Sequence, residues 1–198
     1  MVIDEFLLEA KGASVVEYDI SDFIFLEDDI VRYYYQIVTG KVKLNNYTDT
    51  GKEILQSIID EGHSIGEYLL FLNDIGSPVN AVAVTRCKIL KLSKASFLEL
   101  LREQPNLGLD INRNISEHIH FRHIINNSST QCAAQKLKTL LDFLKIKHNK
   151  TEPYSFLVPL TRQEMANFTG LCVETTIKTL KKMEREKLVR IVNRKIYY

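Results

Sequence analysis

The stretch that most constrains the fold lies near the C-terminus, where Thr161-Arg162-Gln163-Glu164-Met165-Ala166-Asn167-Phe168-Thr169-Gly170 runs into Leu171-Cys172-Val173-Glu174-Thr175-Thr176-Ile177-Lys178. Thr161 and Glu164 have the spacing of a capping box, in which a hydroxyl and a carboxylate each accept an orphan backbone N–H, so a helix begins at Thr161. Met165, Ala166 and Phe168 give that helix an apolar side, and Gly170 can take the positive φ that ends it. Beyond the turn, Thr176, Leu180 and Met183 fall at i, i+4 and i+7 on one buried stripe. Glu174, Ile177, Lys178 and Lys181 share another face, polar and rimmed with base. Such a pair of helices is the helix-turn-helix pattern, which lays its second helix in the DNA major groove; the spacing also fits a plain helical hairpin.

The C-terminal residues favour DNA. Leu188-Val189-Arg190-Ile191-Val192 and Ile196-Tyr197-Tyr198 are β-prone runs about a polar Asn193-Arg194-Lys195 turn, the shape of a wing. From Gln131 onward the chain has 14 Lys and Arg against 6 Asp and Glu, net +8, whereas the first 130 residues have 12 against 19, net −7. An acidic part joined to a basic one suits a sensor attached to a nucleic-acid reader, because Lys and Arg supply the phosphate-neutralising part of affinity. The alternative is that these charges only solvate their faces.

Upstream, short β-prone runs alternate with turn residues: Val15–Tyr18, Phe23–Leu26, Tyr33–Val38, Lys41–Tyr47, Glu53–Ile59, Ser64–Ile65, Val79–Thr85 and Lys88–Leu92. Eight strands at this spacing argue a β-sandwich or barrel. A short helix precedes them over residues 3–12, and another follows over Ser93–Glu103. Pro105 opens the next helix, and from Asn106 to about Asn126 the residues Leu107, Ile111, Ile115, Ile119 (or His118), Arg122 and Ile125 recur every three or four positions, a coiled-coil-like seam. Asn126-Asn127-Ser128-Ser129 is a polar break and a plausible hinge. Ala133–Lys147 is the next helix, and Phe156–Val158 a short strand before Pro159.

The Thr-Arg-Gln-Glu start, the Gly170 turn, Val-Glu-Thr at 173–175 and Lys178 resemble the winged helix-turn-helix of the Crp/Fnr family of bacterial transcription regulators. The resemblance extends over nearly the whole chain. Gly40-Lys41-Val42 and Gly51-Lys52-Glu53 look like hairpins of the cyclic-nucleotide-binding β-roll, and Gly62-His63-Ser64-Ile65-Gly66-Glu67 like the start of its phosphate-binding cassette. It implies an α+β fold: an N-terminal double-stranded β-helix or jelly-roll over residues 1–104, a dimerisation helix over 105–127, and a winged helix-turn-helix over 128–198. It assigns Ile111, Ile115 and Ile119 to a homodimer interface. A stripe packed on its own β-roll, leaving a monomer, is the alternative.

In nucleotide-binding members the Gly-Glu pair is followed about ten residues later by Arg-Ser. The glutamate accepts the ribose hydroxyl and the arginine pairs with the cyclic phosphate. Here Gly66 and Glu67 are kept, while the Arg-Ser positions are Ser77 and Pro78. Burying a phosphate without a cation is costly, and proline removes a backbone donor. Arg122 and His123 stand where the family's helix reaches the nucleotide base, in place of small hydroxyl residues. Cyclic AMP is therefore not expected as effector, and no cofactor is; a cyclic-nucleotide-responsive regulator with a rearranged pocket is the alternative.

The resemblance also implies how DNA is read. Glu174 can accept from a cytosine amino group, Lys178 can donate to guanine O6 or N7, and Thr175 can touch phosphate or a thymine methyl. Arg162 and Gln163 are placed for phosphate at a helix start. Val173 stands where the family's cyclic-AMP receptor carries an arginine, and Lys178 replaces the usual arginine, so guanine discrimination should be weaker. The partners implied are a palindromic duplex operator, a second copy of the chain and, for an activator, RNA polymerase.

Other chemistry fits less well. His120 and His123 share a helix face that His118 does not, so three-point metal ligation from this helix is not expected. A cupin-like metal protein is the alternative from another class. His63 and Glu67 have part of its ligand spacing, but Ile65 stands where a second histidine is needed. Cys87, Cys132 and Cys172 form no paired motif and fit a reducing cytoplasm. No membrane span, secretion signal or nucleophile motif is evident, and the chain is read as cytoplasmic and not an enzyme.

Overall fold

The computed structural model describes residues 2–127 and 130–198. The chain divides into two compact units, Met1–Ile119 and His120–Tyr198. In the first, α1 (Glu5–Ala10) starts at Asp4, whose carboxylate accepts the Leu7 N–H, and so is shorter than the helix expected over 3–12. Eight strands follow: β1 (Ser14–Tyr18), β2 (Phe23–Phe25), β3 (Tyr33–Thr39), β4 (Lys41–Tyr47), β5 (Glu53–Asp60), β6 (Ser64–Ile65), β7 (Asn80–Ala83) and β8 (Cys87–Ser93). They pair antiparallel in two four-stranded sheets, ordered β1-β8-β3-β6 and β2-β7-β4-β5. Phe25, Val42, Ile59 and Ala83 from one sheet and Tyr35, Ile37, Ile65 and Ile89 from the other belong to one buried cluster. The two sheets therefore share a single core, as sheet-on-sheet packing requires.

The strand expected over Val79–Thr85 is trimmed at both ends. Val79 is taken up by the Ser77 hydroxyl, and past Ala83 the chain leaves the ladder, with the Val84 N–H going to the Lys41 carbonyl. Ser93 caps α2 (Lys94–Glu103) by accepting the Ser96 N–H. Phe97 of α2 stacks on Tyr34 of β3 at 4.6 Å between ring centroids, which fixes the helix on the sheet face away from the sandwich core.

The long helix α3 (Pro105–Asn127) runs from the first unit into the second. Ile111 is only 1% exposed and lies in the core cluster of the roll, with Leu107 and Ile115 packed partly against it. The apolar stripe at i, i+4 is thus largely consumed by the chain's own roll. Leu109 is exposed, and so is Ile119, at 51%, although it follows Ile115 by four residues. The expected hinge at 126–129 includes Ser128 and Ser129, which lie outside the described residues; α3 continues through Asn126 to Asn127.

In the second unit, Phe121 of α3 lies 4.5 Å from Phe143 of α4 (Ala133–Lys147) and 5.7 Å from Phe168 of α5 (Arg162–Thr169), centroid to centroid. Leu137, Leu140 and Leu141 of α4, Met165 of α5, and Leu180 and Met183 of α6 (Val173–Arg185) are buried with them. A hairpin of β9 (Arg190–Val192) and β10 (Lys195–Tyr197) closes the unit. The short strand expected over Phe156–Val158 is a single bridge, Leu157 to Tyr197. Its backbone does bond along β10, from the Phe156 N–H to the Tyr198 carbonyl at 3.2 Å and from the Val158 N–H to the Ile196 carbonyl at 2.9 Å.

Candidate nucleic-acid interface

The helix pair is built from local chemistry. Thr161 is the N-cap of α5 and not its first helical residue. Its hydroxyl accepts the Glu164 N–H at 3.1 Å, and the Glu164 carboxylate accepts the Thr161 N–H at 2.6 Å, so both arms of the capping box are made. Gly170 ends α5 at φ 68°, the left-handed conformation the turn needs. Cys172 then caps α6, and Thr176, fully buried, donates its hydroxyl back to the Cys172 carbonyl at 3.1 Å. With Thr176, Leu180 and Met183 turned inward, Glu174 and Lys178 are left exposed on the outer face of α6.

Glu174 sits in the first turn of α6, where the helix dipole favours its charge. Val173 and Thr175 are half-buried beside it, and the Thr175 hydroxyl lies 2.9 Å from the Cys172 thiol. That contact, followed by the Thr175 N–H, holds the exposed Cys172 thiol below its ordinary pKa. Towards the C-terminal end of the helix, Lys178, Thr179, Lys181, Lys182 and Arg185 line an open basic groove. Glu174 and this groove put a hydrogen-bond acceptor and a cationic track on one helix, the combination that base edges and phosphates ask for.

At the start of α5, the Arg162 guanidinium donates to the Arg194 carbonyl in the β9–β10 turn at 3.0 Å. Gln163 donates to the Asn167 side-chain oxygen at 2.8 Å. The sequence placed Arg162 at a phosphate but gave no sign of its bond to the wing, which joins residues 32 apart.

The residues expected in the roll's pocket each have local surroundings of their own. Gly66 takes φ 69°, and a Cβ there would stand 3.1 Å from the Phe25 ring. Glu67, 1% exposed, opens a 3₁₀ turn (Glu67–Phe71) and accepts the Asn114 amide of α3 at 2.6 Å. The same amide lies 3.0 Å from the Ser64 hydroxyl, and the second carboxylate oxygen of Glu67 is buried without a hydrogen-bond partner. Burial raises the Glu67 pKa, against the opposing pull of its own backbone N–H, Asn114 and Ser64.

Ser77 is buried and spent on the backbone: its hydroxyl donates to the Val79 carbonyl at 2.7 Å, and its N–H and carbonyl bond Asp29 and Asp28. The Pro78 carbonyl accepts the Asn46 amide at 2.6 Å. Arg86, the next arginine along the chain, donates to Asp19 at 2.8 Å with its side chain 85% exposed. Arg122 is half-buried in the second unit, its pKa lowered by burial, and His123 is exposed. The His63 ring contacts the Glu61 carbonyl at 3.2 Å and is not paired with Glu67. Among the described residues no three His, Cys, Asp or Glu side chains are grouped to hold a metal ion, and no helix is long and apolar enough to cross a membrane.

Sequence reasoning missed Asn114 and Phe121. Asn114 lies three residues after Ile111 on the buried face of α3, a polar residue in an apolar stripe, which is a readable sign of a buried partner.

Residues 15–104 match the model of the cyclic nucleotide-binding domain and residues 135–197 that of the Crp-like helix-turn-helix domain, together more than two thirds of the chain. The chain is similar to the cAMP-activated global transcriptional regulator CRP of Haemophilus influenzae, at 25% identity over 173 residues, 85% of this chain and 76% of that protein. It is also similar to the transcriptional activatory protein AadR of Rhodopseudomonas palustris, at 26% identity over 190 residues, 91% of this chain and 75% of that protein. Its fold is that of the c-di-GMP responsive global regulator CLP of Xanthomonas campestris, with a TM-score of 0.79 over 98% of each chain at 18% identity. With both domains in the family's order along one chain, this protein belongs to the Crp/Fnr family of transcription regulators.

Proposed function

We propose that this regulator acts as a cytoplasmic homodimer on a palindromic operator, read from the first turn of α6, and that it does so without cyclic AMP. The observation that carries the DNA reading is the division of α6 into two faces: Thr176, Leu180 and Met183 buried, Glu174 and Lys178 exposed beside a basic groove. Glu174 accepts from cytosine and Lys178 donates to guanine, with Val173 and Thr175 flanking them and Arg162 and Gln163 at the phosphates. RNA polymerase is a further partner if the protein activates.

The roll supports the absence of a cyclic-AMP requirement. A cyclic phosphate needs a cation, and the positions that would supply it are Ser77, folded into a turn, and Pro78, while Arg86 faces Asp19 at the surface. Glu67 already has a partner within the chain. These residues do not fit the nucleotide in the usual way.

For the dimer, the exposed side of α3 offers Leu109, Asn112, Ser116, Ile119, His123 and Asn126 at the alternating three- and four-residue spacing of a helix seam. Of the three isoleucines expected there, Ile119 stays on that seam, Ile111 is committed to the roll and Ile115 is half-buried beside it. We retain the division into a roll over 1–104, a joining helix over 105–127 and a DNA-binding domain over 128–198, with α3 contributing to the core of both units.

Selection from a randomised duplex pool by the purified protein, with no ligand added, tests the reading. Enrichment of a palindrome with half-sites about one helical turn apart is the expected result. Enrichment only after cyclic AMP is added would overturn the ligand-free part of it.

A further inference from the structure

The exposed seam of α3 is poor in apolar side chains. Of its six positions only Leu109 and Ile119 are apolar, while Asn112, Ser116, His123 and Asn126 are polar, and all six are exposed. A polar residue at a core position of a two-stranded coil fixes register and costs stability. Two apolar layers among six make a weak seam, and any further group held by both copies adds to it directly.

His123 lies near the centre of that seam. His120, three residues earlier and about 60° round the helix, is exposed beside it. Among the described residues neither imidazole has a hydrogen bond or an ion pair, so their ring nitrogens are open to a ligand. The six seam positions include no carboxylate. Imidazole without carboxylate suits Zn²⁺, Ni²⁺ or Cu²⁺, whereas Mg²⁺ and Ca²⁺ take oxygen donors. His118 is half-buried on the other side of the helix and takes no part.

We propose that His120 and His123 of two copies together bind one divalent transition metal ion across the seam of α3, and that this ion sets the strength of the homodimer. The inference rests on the homodimer reading, in which both DNA-binding units follow α3 and face one duplex, so that the two helices run parallel. In a parallel two-fold pair each seam residue meets its own copy, and the two His123 side chains stand against each other. Within one chain no three His, Cys, Asp or Glu side chains are grouped to hold an ion, among the described residues. Two imidazoles per chain fall short of the four ligands of a structural zinc ion, and two chains supply four. The site is complete only in the dimer, so binding free energy for the ion becomes association free energy for the two copies.

The test is sedimentation equilibrium of the untagged full chain, stripped of metal by a chelator, with and without zinc chloride. At free zinc about ten times its dissociation constant for the dimer, dimerisation should tighten about tenfold. Metal analysis should find one zinc for two chains, and magnesium chloride should have no effect. His123→Ala alters an exposed side chain, so it should fold as the wild type does and lose the response. Cobalt gives a second reading, a visible absorption band in the wild type that is absent from His123→Ala. Cys132 and Cys172 also offer exposed thiols to zinc, so a Cys132→Ser, Cys172→Ser variant is measured alongside and should keep the full response. A dimer that forms equally well with and without zinc keeps the homodimer reading and overturns the metal site. A chain that stays monomeric under every condition overturns the homodimer reading and the site with it. A zinc response that survives in His123→Ala, or that vanishes when the two cysteines are replaced, overturns the site alone.

Discussion

The Arg162 guanidinium donates to the backbone carbonyl of Arg194 at 3.0 Å, so the first residue of α5 holds the turn of the wing in place. Asn193 and Arg194 both have positive φ, at 49° and 64°, the two-residue turn that suits the twist of a hairpin. The bond to the wing adds a supporting role to the phosphate contact proposed for Arg162. Arg162→Ala should weaken binding to specific and random duplexes to a similar extent and lower the slope of log affinity against log salt by about 1. Fluorescence anisotropy across a salt series measures both. A loss confined to the specific duplex would contradict the assignment.

Glu174 is expected to act in the opposite way. Its carboxylate is exposed in the first turn of α6, and a contact with a base edge adds discrimination of about 1 to 3 kcal/mol. Glu174→Ala should keep most of its affinity for random duplex while losing preference for the selected half-site. Gel-shift titrations on matched and single-substituted operators check this, and uniform weakening on all of them would remove Glu174 from the reading contacts.

The strands, helices and winged unit were legible because each rests on local pattern. Thr161, Glu164 and Gly170 mark a helix within ten residues, and both arms of the capping box are present. The seam of α3 was harder to read. Its i, i+4 isoleucines announce a buried face but not what buries it, and Ile111 went to the roll while Leu109 and Ile119 stayed outside. Asn114 with Glu67 and Phe121 with Phe143 are pairings between distant segments, and no local periodicity contains them. The same limit explains Arg86. The sequence shows only that it lies late in the strand after Pro78, whereas the fold aims it at Asp19.

Stability of the DNA-binding unit should respond to two substitutions in proportion to what each removes. Thr161→Ala loses the hydroxyl arm of the capping box and should cost about 1 kcal/mol. Leu180→Ala empties a position 1% exposed in the core beneath α6 and should cost roughly 2 to 5 kcal/mol. Urea titrations followed by circular dichroism should show both as lower midpoints. If Thr161→Ala proved the more damaging, capping and not packing would dominate the helix pair.

Tyr198 ties the C-terminus to α4, its phenol donating to Asp142, which also accepts Lys138 at 2.6 Å. Burial, followed by the hydrogen bond to Asp142 and its charge, pushes the phenol up to about 12. An unfolded tyrosine loses its proton near 10, so the folded state holds this proton more tightly; the stabilisation is complete below about pH 10 and is lost as pH rises towards 12. Tyr198→Phe removes the hydrogen bond and the titration together. The phenol is only half-buried, so the variant should be less stable than wild type at pH 8 by about 1 kcal/mol at most. The gap should narrow through the alkaline range, because only the wild type has this proton to lose. Urea midpoints for the two proteins at pH 8, 10 and 11 measure the gap directly. A gap that stayed constant across that range would mean that the Tyr198 phenol contributes by packing alone.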